Sequence, residues 1–442
     1  MRTDPNVRPP IVPGAAASRS LELDPPDRST PQTARSGGWT TPAGRLRVAV
    51  IHDWLYVLGG AERVLQGILR CFPGADVHCL FDILPPSDRR WIGFESSKTS
   101  FMQKMPGLRR RHRLYLPLMP LAIEQFDLSR YDLVISSSYA VAKGVITGPD
   151  QLHISYVHSP MRYAWDLQHQ YLRESGFDRG LRGMAARCLL HFMRIWDSRT
   201  ANGVDEHVAN SHFVERRIRK LYGRRAAVIH PPVSVRDMLP VCAKGRFFLT
   251  ASRLVAYKNT RAIVEAFREL PEEHLLVAGS GPELARLKSI AGPNVTFLGF
   301  VDDAELARLM TTARAFIFAS EEDFGIVVAE AQGRGTPVIA LGRGGAREIV
   351  VAEGAWPTGL FFAEPTAAAI IAAIDEFRDR EAEFTPANCH RNALRFAEAR
   401  FDLEFSAFVG ARVAKFRDEV AARSPALVSF NVQENRLHAA AE

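Results

Sequence analysis

The segment RAFIFASEEDFGIVVAEAQGRGTPVIALG, residues 314–342, decides the fold. It begins with a short apolar run at 314–320, passes through an acidic turn into a longer apolar stretch, and ends in a second apolar run at 337–342. This order of a short apolar run, a glycine-containing turn, a helix-length stretch and another short run predicts a strand–helix–strand unit. Such units build parallel sheets, so the segment predicts an α/β protein.

The same alternation extends to both sides of this segment. In the second half of the chain it predicts further strands at 246–252, 274–280, 294–300 and 359–362. In the first half it predicts strands at 47–52, 75–81, 131–137, 153–158, 206–211 and 226–230. Prolines and a glycine interrupt the alternation at 231–245, which is therefore interpreted as a linker.

The chain is thus predicted to form two facing Rossmann-like, doubly wound domains, at 46–235 and 245–420, and the last helices could pack back on the first domain. Open α/β sheets bind ligands at the carboxyl ends of their strands, so the crevice between the domains is the expected site. Residues 1–45 are rich in proline and serine and are predicted to be a disordered leader. Residues 421–442 are predicted to be a flexible tail.

Composition narrows the class of protein only in part. The 442 residues suit two domains, and 56 Lys and Arg against 49 Asp and Glu leave a formal charge of +7. This charge fits an anionic ligand, an anionic membrane or nucleic acid, and it selects none of them. The five cysteines form no C-x-x-C pair, which favours a reducing cytoplasm, and no apolar run approaches the roughly 20 residues of a membrane span.

The acidic turn supplies the first candidate site residues. Glu322 lies in the turn, Gly325 would let a ligand approach the backbone, and Glu330 lies eight residues after Glu322 in the predicted helix. The amino terminus of that helix carries partial positive charge, which suits a phosphate. The carboxylates suit hydroxyl donors, such as those of a sugar or a ribose. Taken alone, two glutamates at this spacing would more often face solvent. The order of strand, E-D-F-G turn, helix and second strand around them is much more specific than the pair itself.

This segment resembles the E-x7-E motif of glycosyltransferase family 4, a retaining family with the GT-B fold, and the resemblance runs from about residue 46 to residue 418. It implies that Glu322 is a catalytic residue that binds a sugar hydroxyl and that Glu330 binds the donor. In TASRLVAYKNT, Arg253 and Lys258 match the pair of the family that contacts the donor diphosphate. A guanidinium and an ammonium from one loop suit a pyrophosphate.

The first domain carries further matches to the family. The resemblance places Gly59 and Gly60, in the loop after the first strand, against the donor phosphates. It also implies that His158 is a catalytic residue that contacts the transferred sugar. Arg162 could meet an acceptor phosphate or pair with Asp166, and the sequence leaves both readings open.

Four segments narrow the resemblance to a branch of the family. They are SSSYAVAKGV, HSPMRYAWD, ANSHFVERRIRKLYG and GRGGAREIV. They are similar to segments of the O-antigen and exopolysaccharide mannosyltransferases of bacteria. A hexose donor with mannose favoured, GDP-mannose as co-substrate and a lipid-linked saccharide acceptor are therefore expected.

The resemblance also implies chemistry without a cofactor. No D-x-D triplet occurs in the predicted crevice loops, so neither a metal nor another cofactor is expected, and protein cations would stabilise the departing nucleoside diphosphate. Two alternatives stay open, a retaining synthase that acts on a soluble sugar phosphate and a catalytically silent nucleotide-sugar binding partner. Nucleotide-dependent oxidoreduction is disfavoured because neither domain opens with G-x-G-x-x-G.

The acceptor side is expected to meet a membrane. Residues 101–126 mix four arginines, Arg109, Arg110, Arg111 and Arg113, with apolar side chains. A basic amphipathic segment suits peripheral docking on anionic lipid, at the cytoplasmic face of the inner membrane. Residues 179–199 are also apolar and basic, and are predicted to form a core helix. No nucleic-acid partner is expected, because no recognised nucleic-acid module is present.

Overall fold

The computed structural model of the chain describes residues 40–41, 44–235 and 243–423. The predicted leader and tail therefore lie almost wholly outside the described residues, and so does part of the predicted linker. The strands are β1 (Thr40–Thr41), β2 (Gly44–Arg45), β3 (Val48–His52), β4 (Asp76–Cys79), β5 (Ser97–Thr99), β6 (Leu133–Ser138), β7 (Leu152–Val157), β8 (Glu206–Ala209), β9 (Ala226–Val228), β10 (Phe247–Ala251), β11 (His274–Ala278), β12 (Val295–Gly299), β13 (Ala315–Phe318), β14 (Val338–Leu341) and β15 (Gly359–Phe362).

The α-helices alternate with these strands. They are α1 (Gly60–Cys71), α2 (Pro86–Ile92), α3 (Leu108–Arg111), α4 (Met119–Glu124), α5 (Gln168–Glu174), α6 (Gly180–Thr200), α7 (His212–Tyr222), α8 (Thr260–Arg268), α9 (Leu284–Ile290), α10 (Asp303–Thr312), α11 (Ile326–Gly333), α12 (Ala346–Ile349), α13 (Ala367–Arg380), α14 (Pro386–Ala393) and α15 (Glu398–Arg423). Within the described residues, no helix combines the length and the apolar character needed to cross a membrane.

Two parallel sheets confirm the predicted fold class. The amino-terminal domain has the strand order β5-β4-β3-β6-β7-β8-β9, and the carboxyl-terminal domain has the order β12-β11-β10-β13-β14-β15. The order reverses between β3 and β6 in one sheet and between β10 and β13 in the other. These two switch points open the crevices in which ligands of such sheets bind.

The sequence of β6 explains its position in the centre of the first sheet. All six residues of β6 are buried, and the strand changes from Leu-Val-Ile to three serines at its carboxyl end. The apolar half packs between helix layers, and the serines bring hydroxyls to the crevice. β5, with the sequence Ser-Lys-Thr, was not predicted because this edge strand has no apolar run.

The last helix packs on the first domain. Phe401 and Phe405 of α15 share a hydrophobic core with Phe72 and Tyr156. A Cβ atom on Gly67 of α1 would lie 2.8 Å from the Phe401 ring, so the two helices approach closely because this residue is glycine. The chain therefore returns to its first domain after completing the second.

The prediction of a core helix at 179–199 is wrong in one respect. One face of α6 is buried through Leu190 and Met193, but the opposite face leaves large apolar side chains in solvent. The exposed fraction is 80% for Leu181 and 69% for Phe192. The helix covers the sheet on one side only, so its second apolar stripe has no partner among the described residues.

Buried histidines should make the protein acid-sensitive. Burial lowers the pKa of His153 to about 3 and the pKa values of His78 and His207 to about 4. These rings titrate near pH 6.5 when unfolded, so the unfolded state binds more protons than the native state below that pH. The free energy of unfolding should therefore have its full value above about pH 6.5. It should fall towards pH 4 by up to ~1.4 kcal/mol per pH unit for each ring.

Urea unfolding at pH 7.5, 6 and 5 measures this slope. The His78 ring packs edge-on against the rings of Phe126 and Tyr131, so His78→Phe removes one titrating ring and keeps this packing. We expect this variant to be less sensitive to acid than the parent. Equal stability of the parent at pH 7.5 and 5 would contradict the prediction.

Candidate active site

The loop after β10 carries Arg253, and two glycines fix its path. A Cβ atom on Gly279 would lie 1.9 Å from the carbonyl oxygen of Ser252, and one on Gly281 would lie 2.2 Å from that of Leu254. Any side chain at either glycine position would displace the Arg253 loop, which explains the two glycines of the Gly-Ser-Gly turn. Arg253 itself is exposed, with no ion-pair partner in the described part of the chain.

Lys258 and Glu322 form an ion pair with each other. Both side chains are about four-fifths buried. Asn259, the next residue, has a left-handed backbone (φ 53°) and donates from Nδ2 to the carbonyl oxygen of Ala319 at 3.0 Å, which ties this loop to the end of β13. The expected phosphate binder and the expected sugar binder thus lie together and neutralise each other.

The E-D-F-G segment, residues 322–325, is braced by backbone contacts. Gly325 precedes α11 and has a left-handed backbone (φ 92°), a conformation that favours glycine. A Cβ atom at this position would lie no closer than 3.5 Å to its neighbours, so the backbone conformation, and not a lack of space, favours glycine here. Gly345 donates its N–H to the carbonyl oxygen of Glu322 at 2.9 Å. A Cβ atom on Gly344 would lie 2.4 Å from that same oxygen. The loop after β14 therefore holds the E-D-F-G segment in place.

The predicted glycine pair lies where the two domains meet. Gly59 precedes α1, and a Cβ atom on Gly60 would lie 3.0 Å from the Cδ1 atom of Ile326 at the start of α11. One turn further along α1, Arg63 forms an ion pair with Glu330 across the domain interface. The carboxylate of Glu330 raises the pKa of this guanidinium. Sequence reasoning missed Arg63, although it follows the glycine pair by one helical turn.

His158 lies at the carboxyl end of β7 in a chain of polar contacts. Its Nε2 atom is 2.8 Å from the Ser137 hydroxyl, which is 3.1 Å from Nδ1 of His52, and Nε2 of His52 is 3.5 Å from Glu62. Burial lowers the pKa of His158 to about 3, so the ring is neutral at physiological pH. A neutral, oriented imidazole suits hydrogen bonding to a sugar hydroxyl better than charge stabilisation.

Arg162 does not pair with Asp166, so that reading is wrong. Asp166 pairs with Arg217 on α7, and Arg162 lies 3.4 Å from Asp323 of the E-D-F-G segment. Asp323 also accepts a hydrogen bond from Arg217 at 2.7 Å, and its carbonyl oxygen accepts one from the Ser211 hydroxyl at 2.5 Å. Burial raises the pKa of Asp323 although two guanidiniums oppose this. Sequence reasoning missed this interdomain anchor.

The described residues contain no group of three or more His, Cys, Asp or Glu side chains placed to hold a metal ion. At the strand ends lie cations and carboxylates of the protein. Lys258 and Glu322 lie at the switch point of the second sheet, and the ion pairs of Arg63 and Arg162 connect it to the first domain.

Comparison with known families agrees with this geometry. The sequence model of Glycosyltransferase Family 4 matches residues 58–237, and that of the glycosyl transferases group 1 matches residues 237–395. The two matches join without a gap and cover most of both domains. The chain is a glycosyltransferase family 4-like protein with the GT-B fold.

Individual relatives are similar over limited segments. An uncharacterized glycosyltransferase of Methanocaldococcus jannaschii is 32% identical over 135 residues, which are 28% of this chain and 35% of the relative. A GDP-mannose-dependent monoacylated alpha-(1-6)-phosphatidylinositol monomannoside mannosyltransferase of Corynebacterium glutamicum is 34% identical over 114 residues, 22% of this chain and 30% of the relative. The chain spans only 25% to 43% of the curated relatives it matches.

A solved structure extends the likeness over both domains. Anabaena HepE in complex with UDP and glucose matches with a TM-score of 0.59 and 17% identity, over 83% of this chain and 100% of that chain. At this identity the likeness shows the fold.

Glu330→Ala should weaken donor binding more than it reduces stability. The expected donor contact is lost, whereas the Arg63 guanidinium, whose side chain is 29% exposed, keeps access to water and lies 4.0 Å from Asp303. Calorimetry with the nucleoside diphosphate and urea unfolding measure the two effects. Asp303→Ala is the matched control, because Asp303 lies 4.0 Å from the same guanidinium but is mostly exposed. An equal loss of binding in both variants, or a loss of stability alone, would assign Glu330 a structural role.

Proposed function

We propose that the protein is a retaining glycosyltransferase that moves a hexose, with mannose favoured, from a nucleotide-sugar to a saccharide or lipid-linked saccharide acceptor in cell-surface polysaccharide synthesis. The observation that carries the proposal is the Lys258–Glu322 pair at the end of β13, with Arg253 exposed nearby. A cation and a carboxylate at one strand end match the two halves of a sugar nucleotide, its phosphates and its hydroxyls.

The chemistry follows from where charge develops. As the glycosidic bond breaks, negative charge collects on the departing nucleoside diphosphate and positive charge on the sugar ring. Arg253, Lys258 and the amino terminus of α11 after Gly325 stabilise the diphosphate. Glu322 and His158 hold sugar hydroxyls, and Glu330 holds the nucleoside. Because Lys258 and Glu322 pair in the protein alone, donor binding exchanges that ion pair for contacts with phosphate and hydroxyl.

The choice of sugar and base rests on the resemblance to the mannosyltransferase branch. The Corynebacterium relative is a GDP-mannose-dependent enzyme, and it supports GDP-mannose. HepE was solved with UDP and glucose, which makes UDP-glucose the first alternative to test. Neither a metal nor another cofactor enters the proposal.

A binding panel tests the proposal directly. We would titrate the full chain with GDP, UDP, ADP, GDP-mannose, UDP-glucose and UDP-N-acetylglucosamine by calorimetry and thermal shift, with and without EDTA. Tight binding of one nucleotide that EDTA does not change, followed by transfer of its sugar with retained anomeric configuration, is the expected result. Binding without any transfer would favour the silent binding partner, and no binding at all would overturn the proposal.

The acceptor side supports peripheral docking on an anionic membrane. We define the basic apolar face as exposed side chains from α3 to α4 and from α6: Arg109, Arg111, Arg113, Leu114, Leu118, Leu121, Leu181, Met184, Phe192 and Ile195. The side chain of Arg110 lies outside the described residues. Trp196 of α6 donates from Nε1 to Glu124 of α4 at 2.7 Å, which joins the two parts of this face. Apolar side chains rimmed by arginine suit an acidic bilayer surface.

Cosedimentation with vesicles of phosphatidylglycerol and phosphatidylcholine tests this docking. Leu181→Ser with Phe192→Ser should weaken binding roughly tenfold or more, because two apolar side chains no longer enter the bilayer. Leu403→Ser is the matched control, since Leu403 of α15 is 73% exposed outside this face. Binding that is unchanged by the double substitution, or equal on purely zwitterionic vesicles, would contradict the proposed docking.

A further inference from the structure

A cavity lies between the two domains. It has a volume of about 560 Å³. One wall comes from the first turns of α7 in the amino-terminal domain, and the other comes from the E-D-F-G side of the carboxyl-terminal domain and the loop after β14. Its lining residues include Arg216, Glu321, Arg343, Gly344, Arg347 and Glu348.

Three arginines converge on this cavity from both domains. Arg216, Arg343 and Arg347 are all exposed, and none has an ion-pair or hydrogen-bond partner for its guanidinium in the described part of the chain. Arg216 only stacks on the Phe213 ring, 5.8 Å from its centroid. By contrast, Arg217, the next residue, is held by two carboxylates. The charges that line the cavity are thus available to a ligand.

Neither carboxylate of the cavity forms an ion pair with these arginines in the described part of the chain. Glu348 accepts hydrogen bonds from the N–H groups of His212 and Phe213 at 2.9 Å each, and it lies 3.0 Å from Nε2 of His230. Burial disfavours its charge, but these hydrogen bonds outweigh burial and lower the pKa of that carboxyl. Glu348 is therefore engaged with the backbone of α7 and with His230, and the cavity carries three guanidiniums against two carboxylates.

The position of the cavity connects it to the proposed sugar site. Glu321 is the residue before Glu322, and Gly344 of the cavity wall packs on the Glu322 carbonyl oxygen. On the other wall, Arg216 precedes Arg217, which reaches Asp323 at 2.7 Å and Ser159, the neighbour of His158, at 3.4 Å. A ligand in the cavity would thus border the E-D-F-G segment at Glu321 and Gly344, and the arginine next to Arg216 reaches the neighbour of His158.

We infer that this three-arginine cavity binds an acidic group, a carboxylate or a phosphate, of the saccharide acceptor. Guanidinium groups offer paired N–H donors that match both kinds of oxyanion, and three of them line this one cavity. The inference deepens the proposed function and rests on it, because it names the acceptor class as an anionic saccharide. The charge of the acceptor would hold it in the cavity beside the E-D-F-G segment.

Calorimetry on the full chain tests the inference. We would first saturate the donor site with the nucleoside diphosphate that binds in the panel. The probes are then glucuronate, glucose 6-phosphate and glucose as the neutral control. At least one acidic sugar should bind, glucose should not bind measurably, and Arg343→Ala with Arg347→Ala should weaken the acidic sugar roughly tenfold or more. The acidic sugar that binds more tightly shows whether the cavity prefers a carboxylate or a phosphate.

The control variant is Arg268→Ala, an exposed arginine at the end of α8, which should leave every affinity unchanged. Equal binding of acidic and neutral sugars, or no effect of the double substitution, would overturn the inference while the donor panel still stands. A loss of nucleoside diphosphate affinity in the double variant would also overturn it, because the arginines would then belong to the donor site. If no nucleotide binds the parent, the proposed transferase fails, and the acidic probes are titrated without nucleotide, so that the anion site is judged independently.

Discussion

Lys258→Ala should lower turnover by roughly 10²–10³-fold, the usual effect of removing one preorganised group that stabilises developing charge. The substitution should also weaken binding of the nucleoside diphosphate and of the complete donor alike, because the contact is with phosphate. It also leaves Glu322 without the cation that it pairs with in the protein alone. Initial rates with the preferred donor and calorimetry with the free diphosphate measure the two effects.

Arg261→Ala is the control for this substitution. Arg261 lies three residues after Lys258, is exposed, and pairs with Glu265 within α8, so its loss should change neither rate nor affinity. Lys258→Arg should recover part of the diphosphate affinity because it restores the charge. If Lys258→Ala weakens only the sugar-bearing donor and not the diphosphate, the assignment of Lys258 to phosphate is wrong.

Asp323→Ala should cost about 3–5 kcal/mol of stability, because it leaves two largely buried guanidiniums, Arg162 and Arg217, without their shared carboxylate. These contacts join the E-D-F-G segment to the other domain, so donor affinity should fall as well. The Ser211 hydroxyl bonds to the carbonyl oxygen of Asp323, and that contact survives the substitution. Urea unfolding of the full chain gives the difference in the free energy of unfolding.

Asp166→Ala separates this anchor from a surface ion pair. Asp166 also pairs with Arg217, but its side chain is 46% exposed, so its removal should cost less than about 1 kcal/mol. If the two substitutions prove equally costly, Asp323 does not anchor the domains, and the interface depends on other contacts.

Both sheets could be predicted because their central strands are buried on both faces. Such strands read as short apolar runs, and the alternation with longer segments set their order along the chain. β5 was missed because an edge strand has no need of an apolar run. α6 was misread because periodicity shows that a helix has an apolar face but does not show whether anything covers that face.

The residues of the candidate site likewise fall into those that the sequence could predict and those that it could not. Glu322, Gly325 and Glu330 could be named because they follow one strand in a recognisable order. Their partners across the interface could not, because Arg63 is 267 residues from Glu330 and Arg217 is 106 residues from Asp323. No local pattern connects residues so far apart. Arg162 illustrates the limit, since the nearest acid in sequence was considered and a distant one forms the pair.

The packing of α15 on the first domain determines where chimeras of two homologues can be joined. Phe401 and Phe405 complete the core around Phe72 and Tyr156, although they follow the whole carboxyl-terminal domain in the chain. An exchange of halves between homologues at the linker would therefore combine one protein's sheet with the other's closing helix. A workable chimera needs two crossover points, one near residue 235 and one near residue 397, so that the exchanged carboxyl-terminal domain is inserted between segments of a single parent.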